Sequence, residues 1–194
     1  MIIKSFEANK LNLNKNPFVL LYGKNDGLKK EIKNILLKNK SITSNYEEKE
    51  IIDNLNNFVE ELNTKSLFEE EKLITINRAS DKILKTLSEI IDKNNENLII
   101  IVDAENLDKK SKLRSYFEKE KNCACIPVYP DTQTTLSRLT FNYLNKRKIP
   151  LSTLNVNTIV NRCNGDRKIL LMELEKIEYF AMKGKKVTAE NIAK

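Results

Sequence analysis

Histidine is missing from this chain altogether, tryptophan is absent too, and only four glycines, four prolines and three cysteines occur in 194 residues. Without imidazole there can be no Ser-His-Asp or Cys-His arrangement, and the usual nitrogen ligands of zinc are gone. The cysteines do not replace them: Cys123 and Cys125 are one residue apart and Cys163 is distant, which is no metal-pair spacing. No metal site and no cofactor are expected. The odd cysteine count and the lack of an apolar leader point to a reducing cytosol, and no apolar run approaches a membrane span, so a cytoplasmic protein with no membrane partner is expected.

The chain carries a net charge of +7 and a pI near 9.2. Such a balance ordinarily suggests a polyanionic partner. Here the basic residues are spread along the chain, and the abundance of lysine, asparagine and isoleucine is also what A+T-rich coding produces; any DNA contact is expected to be weak or indirect.

Apolar runs of strand length stand at Phe18 to Tyr22, Leu73 to Ile76, Leu98 to Val102 and Cys123 to Val128, with stretches of helical periodicity between them. That alternation predicts a parallel sheet in an α/β domain over residues 1–130. A weaker strand is expected from Ser41 to Tyr46. After Tyr129-Pro130 the spacing becomes helical alone: Leu136, Leu139, Tyr143 and Leu144, then Val156, Ile159 and Val160, then Leu170, Leu174 and Ile177. Residues 131–194 therefore read as a small helical-bundle domain, with Asn164-Gly165-Asp166 as a helix stop followed by a new N-cap and a last helix opening near Thr188.

Directly after the first strand comes Gly23-Lys24-Asn25-Asp26-Gly27-Leu28-Lys29-Lys30, where a nucleotide-binding loop would sit. A working loop needs a second glycine before its lysine and a Ser or Thr after it to ligate magnesium; Leu28 and Lys30 stand there instead. Lys29 keeps the lysine register, but Gly23, Gly27, Leu28, Lys29 and Lys30 form a degenerate phosphate loop not expected to bind ATP. Similarly, the run Leu98 to Val102 ends in Asp103-Ala104-Glu105, whose carboxylates are separated where hydrolysis wants them adjacent. Both acids are expected to cap the sheet edge or to start the next helix. No intrinsic catalysis is expected.

Leu67 and Phe68 stand at an element boundary, after a helix marked by Ile51, Leu55, Phe58, Val59 and Leu62 and just before Leu73, Ile74 and Ile76. An apolar pair at such a place, amid charge, favours recognition by a partner.

Taken in order, the first strand with its decayed loop, Ser66-Leu67-Phe68, Leu107 to Leu113, and Asn164-Gly165-Asp166 leading to Glu173-Leu174-Glu175-Lys176 resemble the delta-subunit family of bacterial DNA polymerase III. The resemblance implies an AAA+-type domain, a small helical lid-type domain and a collar domain that this chain does not reach. It implies a clamp-loader subunit that binds and opens the sliding clamp (the beta subunit) in DNA replication, inside a polymerase holoenzyme and without its own ATP hydrolysis. Leu67 and Phe68 map onto the family's clamp-binding pair, which with the adjacent helix holds one clamp interface apart. The other loader subunits (gamma/tau and delta prime) are implied partners where the collar is present. Two alternatives are an active P-loop NTPase and a DNA-binding regulatory protein; Leu28 and Lys30 speak against the first, and the lack of a base-reading helix against the second.

Overall fold

In a computed structural model, which describes residues 1–37, 40, 44–63, 71–93, 97–184 and 187–193, the chain divides into two units. The first comprises Met1–Lys24 and Lys29–Val128, the second Asn25–Leu28 and Tyr129–Lys194.

The first unit is built on five parallel strands: β1 (Phe18–Tyr22), β2 (Ser44–Glu47), β3 (Lys72–Ala79), β4 (Leu98–Ala104) and β5 (Cys123–Pro127), in the order β2-β3-β4-β1-β5. Their sequences follow from that placement. A parallel sheet is covered on both faces, so its inner strands are apolar at every position instead of every second one, and all five residues of β1 are buried. The edge strand β2 is partly exposed throughout and correspondingly polar. Beyond β5, Met1 to Ile3 extend the sheet: Ile2 bridges Cys125 in parallel, and the Met1 ammonium donates to the Cys123 carbonyl at 2.8 Å.

Helices α1 (Asp26–Leu37), α2 (Glu48–Asp53), α3 (Leu55–Asn63), α4 (Leu84–Asp92) and α5 (Lys112–Lys119) connect the strands, with short 3₁₀ turns at Ser5–Lys10 and Asp81–Ile83. Helical periodicity predicts one helix through Ile51 and Leu62; the structure breaks it at Asn54, whose backbone (φ −134°, ψ 51°) leaves the helical region. Ile51 and Phe58 nevertheless both point inward, and Phe58 meets the Tyr46 ring edge-on with centroids 5.0 Å apart. The start of α5 is capped twice. Ser111 accepts from Arg114 N–H, and the Asp81 carboxylate accepts from Ser111 Oγ, Lys112 N–H and Leu113 N–H at 2.6 to 3.1 Å. Burial pushes the Asp81 pKa upward, but these donors outweigh it and the carboxyl stays below its ordinary range.

The second unit holds α6 (Gln133–Lys146), α7 (Thr153–Arg162), α8 (Arg167–Met182) and α9 (Ala189–Ala193). Each helix starts on a residue that satisfies its free amides: Thr132 in a capping box, Ser152 at α7, and Asp166 accepting from Lys168 and Ile169 N–H at α8. Between α7 and α8 the chain reverses through Asn164 and Gly165, with φ of +47° and +81°. Leu136, Val156, Leu170 and Leu174 are fully buried in this unit's own core. Among the described residues no helix is long and apolar enough to cross a membrane.

Candidate functional site

In an open parallel sheet, ligands bind beyond the carboxyl ends of the strands where the connections diverge. Here the chain leaves β1 toward β2 on one side, while β4 and β5 flank β1 on either side, so the ends of β1 and β4 mark that position. Register places Leu21 opposite Asp103 and Tyr22 opposite Ala104, which sets Gly23, the first residue after β1, beside the end of β4.

Lys29 does not reach outward from the helix. It is 3% exposed, and its ammonium donates to the Ala104 carbonyl at 2.9 Å and pairs with Asp103 Oδ1 at 2.8 Å. Lys33, one turn further along α1, pairs with the other oxygen of the same carboxylate at 2.7 Å. The lysine that would meet phosphate and the acid that would meet magnesium are therefore bonded to each other. Asp103 corrects the expectation that it caps the sheet edge or starts a helix: it is a member of β4, and α5 begins only at Lys112. A carboxylate can stand at the end of a buried strand because two lysines on one face of α1 neutralise it.

The two glycines of the loop are explained by the chain's own packing. Gly23 has φ of +138°, and a Cβ there would lie 2.0 Å from the Val128 carbonyl oxygen. Its N–H is shared between the carbonyls of Ala104 and Glu105. A Cβ on Gly27 would come within 3.0 to 3.2 Å of Lys168 N and the Arg167 side chain. Leu28 is half-buried with its N–H on Asn25 Oδ1 at 3.0 Å, and Lys30 is exposed and brings no hydroxyl.

Sequence reasoning missed a polar hub in the second unit. Arg167 clamps Asp131 with two bonds, Nε to Oδ2 at 2.8 Å and Nη2 to Oδ1 at 2.9 Å. The two side chains are 10% and 5% exposed. Asn25 Nδ2 donates to Asp131 Oδ2 at 2.7 Å and Thr135 Oγ1 to Oδ1 at 2.9 Å. Burial alone would raise the Asp131 pKa; the bonds from Arg167 and Asn25, the guanidinium charge and Thr135 together hold it below the ordinary carboxylate range. No local motif announces this hub, because its acid follows a proline and its arginine opens a helix 36 residues later.

Burial pushes the thiols of Cys123 and Cys125 up to about 12, so both are protonated at neutral pH and are poor nucleophiles. Among the described residues no group of three or more His, Cys, Asp or Glu side chains could hold a metal ion.

The profile of the family described as DNA polymerase III, delta subunit, matches residues 19–126, more than half of the chain. The chain belongs to this family. A probable DNA polymerase III subunit delta from Rickettsia prowazekii is 22% identical over 174 residues, covering 90% of this chain and 54% of that protein. Among solved structures, the Bacillus subtilis DNA clamp loader delta protein superposes with a TM-score of 0.63 at 17% identity, over 91% of this chain and 57% of that one. RuvB of Thermotoga maritima, an AAA+ protein, superposes with a TM-score of 0.56 at 12% identity, over 91% of this chain and 59% of its own. The fold is thus of the AAA+ type, and the chain spans about half the length of the delta proteins it matches. The family's matched segment takes in all of β1 but Phe18, residues 23–30 after it, and β4. Leu67 and Phe68 fall inside it as well, but they lie outside the described residues.

Proposed function

We propose that this chain carries the clamp-binding part of a clamp-loader delta subunit, which binds the sliding clamp through Leu67 and Phe68 and opens it without hydrolysing ATP itself. The observation that carries the reading is the state of the phosphate loop within a member of the delta family. A loader subunit that worked as a motor would keep its lysine available to phosphate, whereas Lys29 is buried against Asp103. A subunit that opens a ring needs no chemistry. It needs tighter binding to the open clamp interface than to the closed one, and the difference in binding free energy then shifts the clamp's population toward the open state. A leucine and a phenylalanine are suitable anchors for an apolar pocket, contributing several kcal/mol at about 25 cal/mol per Å² buried. Other loader subunits would consume the ATP, and DNA would be met chiefly through the assembled loader.

Replacing both Leu67 and Phe68 by Ala is expected to weaken binding to the cognate sliding clamp by about 100-fold or more, read by surface plasmon resonance, with the thermal midpoint held. A double variant that stays folded and binds as well as the parent would remove the pair from the interface. For nucleotide, calorimetry with ATP and magnesium is expected to show no saturable heat at micromolar concentration. A magnesium-dependent isotherm in that range would restore the active-NTPase alternative.

A further inference from the structure

The basic residues are spread along the chain, but the acidic ones are not. Between Asp131 and Asp166 stand 34 residues without a carboxylate in a chain that holds 27, and the same stretch carries Arg138, Lys146, Arg147, Lys148 and Arg162. A bias in base composition acts on the whole chain, so it gives no reason for acids to vanish from one segment. That segment is α6, the turn after it, and α7. The two helices run antiparallel, with the Gln133 side chain at the start of α6 donating to the Asn161 side chain near the end of α7.

Packing takes one side of α6 and leaves the other to solvent. Leu136, Thr140 and Leu144 are buried, whereas Arg138, Asn142, Asn145 and Lys146 are exposed. Spacing of four and three residues sets Arg138, Asn142 and Asn145 on one face, and Lys146 stands beside them roughly 12 Å from Arg138 along the axis. Past the helix, Arg147 and Lys148 line a groove of about 580 Å³ whose opposite wall includes Met182 and Gly184 at the end of α8, with exposed Lys183 between those two in the chain. The carboxylate at that groove, Glu178, is bonded to the Arg147 guanidinium and the Tyr143 hydroxyl, and the guanidinium lies 3.5 Å from the centre of the Tyr143 ring. The C-terminal ends of α6 and α8 meet here too, each equivalent to about half a negative charge. Together with Glu178 they balance only two of the four cations Lys146, Arg147, Lys148 and Lys183, so this end of the unit stays positive.

A polyanion complements such a surface, and the side chains between the cations select which kind. An anionic membrane or an acidic protein would be met by apolar groups amid the charge, but no large apolar side chain of α6 is exposed, and Met182 is the only one exposed at the groove. Lysine, arginine, asparagine and threonine are instead the donors that contact DNA phosphates, where they fix position and carry no base information. We infer that α6 and the turn after it, from Arg138 to Lys148, together with Lys183, bind the sugar–phosphate backbone of DNA without reading its sequence. The site goes beyond the clamp-binding reading and shares no residue with it.

Fluorescence anisotropy of the full chain with a labelled DNA oligonucleotide, offered as duplex and as single strand, tests this. Affinity of the parent is expected to fall about 100-fold between about 50 mM and about 200 mM salt, as the release of counterions from about four phosphates requires. Arg138→Gln/Lys146→Gln is expected to weaken binding by about tenfold or more at the lower salt and to flatten the slope of log K against log salt by about 2, with the thermal midpoint held. Lys85→Gln/Lys119→Gln removes the same charge from exposed positions of α4 and α5 and is expected to change both readings far less. Should the α6 pair melt lower than the parent, Lys146→Gln/Lys183→Gln replaces it with the same expected change. Tighter binding of one DNA form supports the inference and names the strand state that the face accepts. Equal losses from the α4–α5 pair would overturn the site in favour of attraction to net charge alone. No binding at about 50 mM salt, or binding to phosphatidylglycerol vesicles but not to DNA, would overturn it outright. Clamp binding by Leu67 and Phe68 is untouched by any of these results.

Discussion

Asp131→Ala is expected to lower the stability of the protein by about 3 to 5 kcal/mol, enough to move the thermal midpoint by about 10 °C or more. The size comes from what the substitution leaves behind. Arg167 is 9% exposed and held by both oxygens of Asp131, so removing the carboxylate leaves a guanidinium out of water without its counter-charge, and no accessible pH can neutralise it. Asn25 and Thr135 lose an acceptor at the same moment. Exposed pairs offer the contrast within the same helix: Lys176 and Glu173 are 68% and 43% exposed at 2.7 Å, and Lys176→Ala is expected to cost under about 0.5 kcal/mol. Denaturant titration of both variants checks the difference. An Asp131→Ala protein within about 1 kcal/mol of the parent would mean that the hub adds nothing net to stability.

Acid provides a second reading of the same hub. The folded pKa of Asp131 lies below its unfolded value, so the stability it contributes is complete above the unfolded pKa, near 3.9, and is lost as pH falls through the folded value. At pH 7 the contribution is whole, and below about pH 4 it declines. Arg167→Ala strands the carboxylate instead of the guanidinium, and a stranded carboxylate can take up a proton. In acid both deficits against the parent are therefore expected to shrink: that of Asp131→Ala only below about pH 4, where the parent loses the contribution of its own carboxylate, and that of Arg167→Ala from a higher pH, because burial makes the stranded carboxylate take up its proton more readily.

How much of this was legible in the sequence depends on how local each cause is. The inner strands could be read because burial on both faces demands continuous apolar runs, and β1 coincides with the run Phe18 to Tyr22. The edge strand β2 was the hardest to see, since Ser44, Asn45 and Glu47 need not be apolar at a partly solvated edge; of the expected strand Ser41 to Tyr46, Ser44 to Tyr46 fall in β2, and residues 41–43 lie outside the described residues. The break at Asn54 was invisible for a different reason: Ile51 and Phe58 keep their inward spacing across it, so the periodicity continues although the backbone does not. Charge pairing was the least legible. Lys29 and Asp103 are far apart in the chain and meet only because β4 is the neighbour of β1, a fact of strand order that hydrophobic pattern does not encode. For that reason Leu28 and Lys30 could lead to the expectation of a degenerate loop, but the pairing of its lysine with Asp103 could not be foreseen. The proposed anchors Leu67 and Phe68 rest on sequence and family resemblance alone.

Asp103→Ala is expected to destabilise the protein by about 3 kcal/mol or more, whereas Lys29→Met should cost no more than about 1 kcal/mol. The asymmetry follows from exposure. Lys29 has a side chain 4% exposed, so its ammonium depends on Asp103 and on the Ala104 carbonyl for the solvation that water would otherwise give; deleting the carboxylate strands it. Methionine has nearly the shape of the lysine stem and carries no charge to strand, and Asp103, 19% exposed, keeps Lys33 at 2.7 Å after Lys29 is gone. The double variant should then resemble Lys29→Met more than the sum of the two, because without the ammonium the loss of Asp103 leaves only the better exposed Lys33 unpaired. Unfolding curves for the four proteins give the coupling directly. A lysine kept for phosphate would behave otherwise: its replacement would abolish a nucleotide-dependent rise in the thermal midpoint, and Asp103→Ala would cost little in the absence of nucleotide. Additive single effects, or a parent whose midpoint rises with ATP and magnesium, would show that Lys29 is not committed to Asp103.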